Sequence, residues 1–224
     1  MNENYVRRCC ALLWEPVGFM FFSILEGIGL VTLMLTIFRF KIKYYIWPSL
    51  SIVIFMSLAS FILRNELSLS YVVPIINVVG FMFFIAIIFK QSTVGSAIMS
   101  ITGYFSYGII QVLLAKVIYG NMQALESNIV NGYILQSVTF IACSALSYYL
   151  YGHGYGFAID FFEKFRFKFE NVFIMSIIVV SITLFAVIMY TINLTAMSIL
   201  FLISLIFFLY YSFRKEVQAV RNGR

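Results

Sequence analysis

Charge is what this sequence has least of. Acidic and basic residues make up 11% of its 224 residues, where an ordinary soluble domain carries about 25%. Apolar residues make up 62%, and the mean hydropathy is +0.99. A soluble domain of this size could not hide so much apolar surface, so the composition excludes a soluble enzyme, a disordered regulator and a secreted disulfide scaffold. Cysteine is nearly absent as well. Cys9, Cys10 and Cys143 give no framework, and an adjacent pair is poorly placed to bond to itself, so no structural disulfide is expected. There is one histidine, His153, and no partner stands at metal-ligand spacing from it, so no metal site is expected. Phosphate loops of the GxxxxGK[ST] type, HExxH and GxSxG are missing. Cys143 and His153 lie ten residues apart in one apolar run, about 15 Å along a helix. A nucleophile and its base need about 3 Å. The chain is therefore expected to be no enzyme and to need no cofactor. Only three prolines occur, Pro16, Pro48 and Pro74, all near the ends of apolar runs. The broken helices and internal repeat of an inverted-repeat transporter are not apparent.

What is present is long apolar runs. A spanning helix needs roughly 20 apolar residues, and seven runs qualify: 13–38, 44–63, 71–89, 93–119, 133–151, 172–190 and 194–213. The separators are short. Thr191, Ile192 and Asn193 alone part the last two, which suffices for a tight hairpin. The first run is too long for a signal h-region, and no small-residue cleavage pattern follows it. The expected fold is an all-α polytopic bundle over residues 1–213, with a short basic tail at 214–224. Trp14, Trp47 and many tyrosines sit near run ends, as interfacial aromatic belts do.

The net charge of +6 would hint at nucleic acid in a soluble protein, but here the basic residues cluster in short loops, as membrane topology requires. No nucleic-acid partner is expected. With seven spans, eleven Lys and Arg fall on one side of the bilayer: Arg39, Lys41, Lys43, Lys90, Lys164, Arg166, Lys168, Arg214, Lys215, Arg221 and Arg224. Arg7, Arg8, Arg64 and Lys116 fall on the other. That places the C-terminus in the cytoplasm and the N-terminus outside, with Arg7 and Arg8 as the two residues that disagree.

A few polar residues lie deep in these runs. Glu26, within SILEGIGL, sits mid-span. A carboxylate there costs roughly 2.5–3.5 kcal/mol on insertion scales. It must face other helices or a wet cavity, or carry a proton. It reads equally as a ligand or ion contact and as a packing residue. Gly27 and Gly29 beside it allow another backbone close approach. Asn77, Gln111 and Gln136 are candidate ligand contacts, or simply amides bonding helix to helix at about 1 kcal/mol. By residue count Gln111 lies about 12 Å from the outer end of its span and Glu26 about 18 Å, which makes Gln111 the better depth match. Lys116 can snorkel to the interface. Ser92, Ser96, Ser100 and Gly103 fall on one helix face, a stripe expected to serve close packing. His153, in YGHGYG, reads as an interfacial or capping residue, with pH sensing as the sharper alternative.

The segment 154–170 carries a second pattern. Phe157, Phe161, Phe165 and Phe169 recur every four residues, and Asp160, Lys164 and Lys168 recur on a neighbouring face. A helix here would lie in the headgroup region as an anchor, or present a docking surface to a cytoplasmic partner. The run Phe165–Phe169 also alternates as a strand would.

LEGIGLVTLMLTIFRFKIK, SLASFILRNELSLSYVVPIINV, IMSITGYFSYGIIQ and GYGFAIDFFEKFRFKFENVFI together resemble the multi-span sensor region of peptide-sensing bacterial histidine kinases of the accessory-gene-regulator type. They also resemble stand-alone membrane proteins of Gram-positive bacteria built from that region alone. In that family six or seven spans precede a cytoplasmic dimerisation helix and an ATPase-like kinase domain. This chain stops at Arg224 with no phosphoacceptor histidine after the last span. The resemblance therefore implies a receptor-like module without kinase activity, whose partner would be a cytoplasmic kinase or response regulator. Three expectations follow. The first is a non-enzymatic sensory or accessory module of the plasma membrane that binds a small hydrophobic or peptide ligand. The second is a small transporter or permease subunit that borrows an ATPase. The third is a structural protein of the bilayer. A homo-oligomer is compatible with each.

Overall fold

A computed structural model describes residues 3–67, 69–70, 72–120, 125, 128–157, 176–181, 183–184 and 194–222; for 3–15, 194, 197, 215 and 218–222 it describes the backbone alone. Among the described residues the chain is all helical. α1 is Glu3–Ile37, α2 Ile46–Asn65, α3 Val73–Ile88, α4 Thr93–Tyr119, α5 Ile129–His153 and α6 Leu194–Asn222, and a short 3-10 turn, Ile42–Tyr44, precedes α2. Among the described residues four stretches are long and apolar enough to cross a membrane: Pro16–Ile37, Ile46–Asn65, Thr93–Tyr119 and Ile129–His153. Val73–Ile88 has 16 residues, about 24 Å of helix, against a hydrocarbon core of about 30 Å.

Several boundaries expected from hydropathy move for local reasons. α1 begins well before residue 13, because NYVRRCC contains no helix breaker and the backbone continues through it. α5 begins at Ile129 rather than 133, because the Asn128 carboxamide caps it, accepting from the Val130 N–H at 3.0 Å. α6 runs unbroken past Phe213 to Asn222, so the basic tail at 214–222 continues the last helix. Of the sixth expected span, 172–190, residues 176–181 are helical and most of the rest lie outside the described residues.

α4 is the central helix, packing against α1, α3, α5 and α6. Its small residues make this possible. Ser92 caps its start by accepting from the Gly95 N–H at 3.2 Å. Ser100 donates to the Val78 carbonyl of α3 at 2.7 Å. A methyl group on Gly103 would lie 2.6 Å from the Met34 Cβ of α1. The stripe is a packing face, as its spacing implied. Around it Leu33, Met34 and Leu35 of α1, Ile98 and Met99 of α4 and Ile85 of α3 form the densest part of the core.

The turns at the basic end are tight. After α1 the Arg39 N–H donates to Thr36 O at 3.0 Å and the Phe40 N–H to Leu35 O at 2.9 Å, which terminates the helix through a residue in the left-handed region. That residue is Arg39, with φ 56°. The αL conformation costs a side-chain-bearing residue roughly 1 kcal/mol, and here the guanidinium Nη2 donates to the Gly154 carbonyl, tying the end of α1 to the end of α5. Gly154 itself is αL at φ 67°. At Gly156, φ 146°, a Cβ would strike the Ile37 carbonyl at 2.8 Å. The Phe157 N–H donates to that same carbonyl at 2.7 Å.

Candidate functional site: the Glu26 cavity

Gly27 and Gly29 allow α1 close approach on two sides. Gly27 faces Val53 of α2, and Gly29 lies against Phe140 of α5, whose Cα would be 3.4 Å from an added methyl. Between these contacts Glu26 turns into a cavity of about 320 Å³ enclosed by α1, α2, α3 and α4, with Gln136 of α5 and Phe201 of α6 at its wall. The Gln111 Nε2 of α4 donates to Glu26 Oε1 at 3.1 Å, and the Gln136 Nε2 donates to Oε2 at 2.7 Å. Three helices are thus pinned on one carboxylate. Asn77 of α3 lies on the same cavity, where its Oδ1 accepts from the Ser60 hydroxyl at 3.5 Å and it hydrogen-bonds to Tyr104.

All four polar residues singled out in the sequence, Glu26, Asn77, Gln111 and Gln136, therefore line one space. The depth match of Gln111 to Glu26 is met by a direct bond, and Gln136 completes it from the opposite side. Lys116 is exposed and does not line the cavity.

Three participants were not singled out. Tyr104 and Tyr107 precede Gln111 by seven and four residues on one face of α4. The spacing was there to be read, but a mid-span tyrosine in a chain with 19% aromatic residues reads equally as core packing. Tyr107 is 2% exposed and its hydroxyl has no hydrogen-bond partner among the described residues. The third is Arg64, the exposed cation at the mouth, whose guanidinium stands 5.9 Å over the Phe19 ring. Phe19 precedes Glu26 by seven residues, so Arg64 sits about 10 Å of helix rise above the carboxylate.

Apolar side chains, chiefly Leu30, Val53, Met56 and Phe81, make up most of the remaining wall, with Ser23 and Ser57 among them. The lining comes from Phe19 to Leu30 of α1, chiefly from the N-terminal halves of α3 and α5, and chiefly from the C-terminal halves of α2 and α4. The mouth therefore lies at the Arg64 end of the bundle, away from Arg39, Lys41, Lys43 and Lys90. Such a space, mostly apolar with a few convergent polar groups, suits a small molecule. Cys143 is free, fully buried and outside the lining. Among the described residues no three His, Cys, Asp or Glu side chains gather as metal ligands would.

At the basic end His153 closes α5. Its Nδ1 lies 3.0 Å from the Tyr149 carbonyl, and its ring packs between Tyr149 and Tyr155. Of the phenylalanine stripe only Phe157 is described. It is not helical, and its ring lies 6.1 Å from that of Phe38, packed on the core. Phe161, Lys164, Phe165, Lys168 and Phe169 lie outside the described residues. Comparison of the chain with protein-family models, curated proteins and solved structures found no match in any of the three.

Proposed function

We propose that this protein is a non-enzymatic, multi-pass sensory or accessory module of the plasma membrane. It binds a small hydrophobic or peptide ligand in the Glu26 cavity and passes the change to a cytoplasmic kinase or response regulator. In this reading about seven spans place the N-terminus and the cavity mouth outside and the C-terminus in the cytoplasm. One observation carries it: a ligand-sized cavity whose floor is a single carboxylate holding α1, α4 and α5 together. A ligand that disturbs Glu26 disturbs three helices at once, and a ligand signals only by favouring one arrangement over another. The tie from Arg39 to Gly154 supports a route to the cytoplasmic end, since it joins the far ends of α1 and α5, two of the three helices held by Glu26. The sequence resemblance to the sensor region of peptide-sensing kinases agrees with this reading.

The test is cross-linked co-purification from native membranes with an affinity tag after Arg224, together with accessibility of the tag to a membrane-impermeant reagent. A histidine kinase or response regulator retained on a cytoplasmic tag is the expected result. An ATP-binding cassette subunit in its place would replace the sensory reading with a permease. A cytoplasmic tag that retains neither would remove the signalling partner.

A further inference from the structure

The geometry points to a protonated amine on a compact apolar or aromatic body as the ligand of this cavity, its ammonium seated between the Glu26 carboxylate and the Tyr107 hydroxyl. The inference rests on the cavity being a ligand site and specifies the chemistry that would fill it.

The argument begins with what Glu26 lacks. Each of its oxygens accepts one amide N–H, while a carboxylate offers about four acceptor positions. Both donors are neutral, so they orient the group without balancing its charge. Arg64, the one cation lining the cavity among the described residues, is two helical turns away and stacks on Phe19. A charge withdrawn from water is costly unless a counter-charge meets it. Tyr107 supplies an independent sign, an unmet hydrogen bond. Its side chain is buried and lines the same cavity, yet its oxygen has no partner among the described residues. An ammonium has three donors and no acceptor. It satisfies a carboxylate oxygen and a phenol oxygen together, which a second carboxylate or a plain hydrocarbon cannot do. Tyr104, Tyr107 and Phe81 line the same space, and aromatic rings attract a cation. Val53, Met56 and Phe201 provide for an apolar body. Arg64 at the mouth disfavours a second positive charge at the outer end, so a monoamine fits better than a diamine.

The experiment measures binding to the full-length protein in lipid nanodiscs, with tryptamine, tryptophol and indoleacetate as shape-matched cation, neutral and anion. Tryptamine is expected to bind saturably, about tenfold or more tighter than tryptophol, with indoleacetate weakest. Replacing a neutral hydrogen bond by an ion pair is worth at least that ratio. Glu26→Gln keeps shape and hydrogen-bonding capacity and should erase the ratio while tryptophol still binds. Tyr107→Phe removes one oxygen and should weaken tryptamine severalfold while Glu26 still discriminates. It also serves as the second probe if Glu26→Gln fails to fold. Equal binding of tryptamine and tryptophol, or a ratio that survives in Glu26→Gln, overturns the amine while leaving the cavity as a site for neutral ligands. No saturable binding of any probe overturns the amine and the cavity site together, and leaves the co-purification result to judge the signalling partner.

Discussion

The two halves of the apolar stretch of α1, Pro16–Ile37, do opposite things with similar residues. From Pro16 to Ile28 no side chain is buried, and this half carries Ser23 and Glu26 on a cavity. From Gly29 to Phe38 every residue but Thr32 is buried. α4 divides the same way in mirror image. Val94 to Gly103 are all buried, and beyond Gly108 only Ala115 is. Both halves of each helix are strongly apolar, so hydropathy does not separate them. The difference lies in what faces what. In the basic half Gly103 and Ser100 bring α4 against α1 and α3 with no gap. In the other half Glu26, Gln111 and Asn77 hold the helices apart and stay bonded across the space. In lipid, helix association depends on packing and polar contacts rather than on apolar burial. The tight half is therefore a rigid floor, and the polar half is where the bundle can respond.

The largest effect should come from breaking the floor. Gly103→Val places two methyl groups where Met34 Cβ and Cγ already lie within 2.6 Å of a Cβ, with the Met34 Cα at 3.2 Å. Overpacking of this kind costs about 1–3 kcal/mol, and a backbone atom in the way argues for the upper end. Gly132→Ala, a position with nothing within 4 Å, should be neutral or gain up to about 1 kcal/mol from helix propensity. Unfolding midpoints in mixed detergent micelles compare the two. Equal midpoints would mean that the floor is not tight.

Arg39 tests whether the two ends are mechanically joined. Arg39→Ala keeps a side chain in the left-handed region and removes the bond to the Gly154 carbonyl. Hydrogen bonds from charged donors contribute about 1.5–3 kcal/mol when sheltered, and this exposed one should be worth about 1 kcal/mol. The amide of Phe157, bonded to Ile37 O, should then exchange with deuterium several times faster, while amides around Met99 stay unchanged. Unchanged exchange at Phe157 would show that the loop is held without the arginine.

The polar contact in the floor is smaller. Ser100→Ala removes the 2.7 Å bond to Val78 O. Interhelical hydrogen bonds in membranes average about 0.6 kcal/mol, so the midpoint should fall slightly and tryptamine binding should not change. A loss above about 2 kcal/mol would place more of the α3–α4 contact on that single bond than packing allows.

How much of this was legible beforehand follows the same division. The all-helical, apolar character of the bundle could be read from composition, because 20 apolar residues have few other places to go. Glu26, Gln111, Gln136 and Asn77 could be read because a polar side chain deep in a span must find a partner. Depth counted along each run brought Glu26 and Gln111 to the same level without naming the bond. Tyr104, Tyr107 and Arg64 could not be read as cavity residues. Tyrosine is amphipathic and belongs equally to an interface, a core or a site, and Arg64 near a span end obeys topology as well as function. Nor could hydropathy reveal that α1 and α4 each change from open to closed halfway along. That depends on which glycines meet which side chains.

The smallest effect, and the one whose sign matters most, is Tyr107→Phe. A buried hydroxyl without a partner costs about 1–3 kcal/mol of desolvation relative to one that is bonded. Removing the oxygen while keeping the ring should therefore leave the unfolding midpoint unchanged or raise it by up to about 1 kcal/mol. Gly103→Val on the same helix, and most buried substitutions, should lower it. A fall of more than about 1 kcal/mol would show that the Tyr107 oxygen is bonded in the resting protein, and that oxygen would then be unavailable to an ammonium. A rise with no ligand, together with weaker tryptamine binding, would mean that the protein retains an oxygen that serves the ligand at the expense of the empty fold.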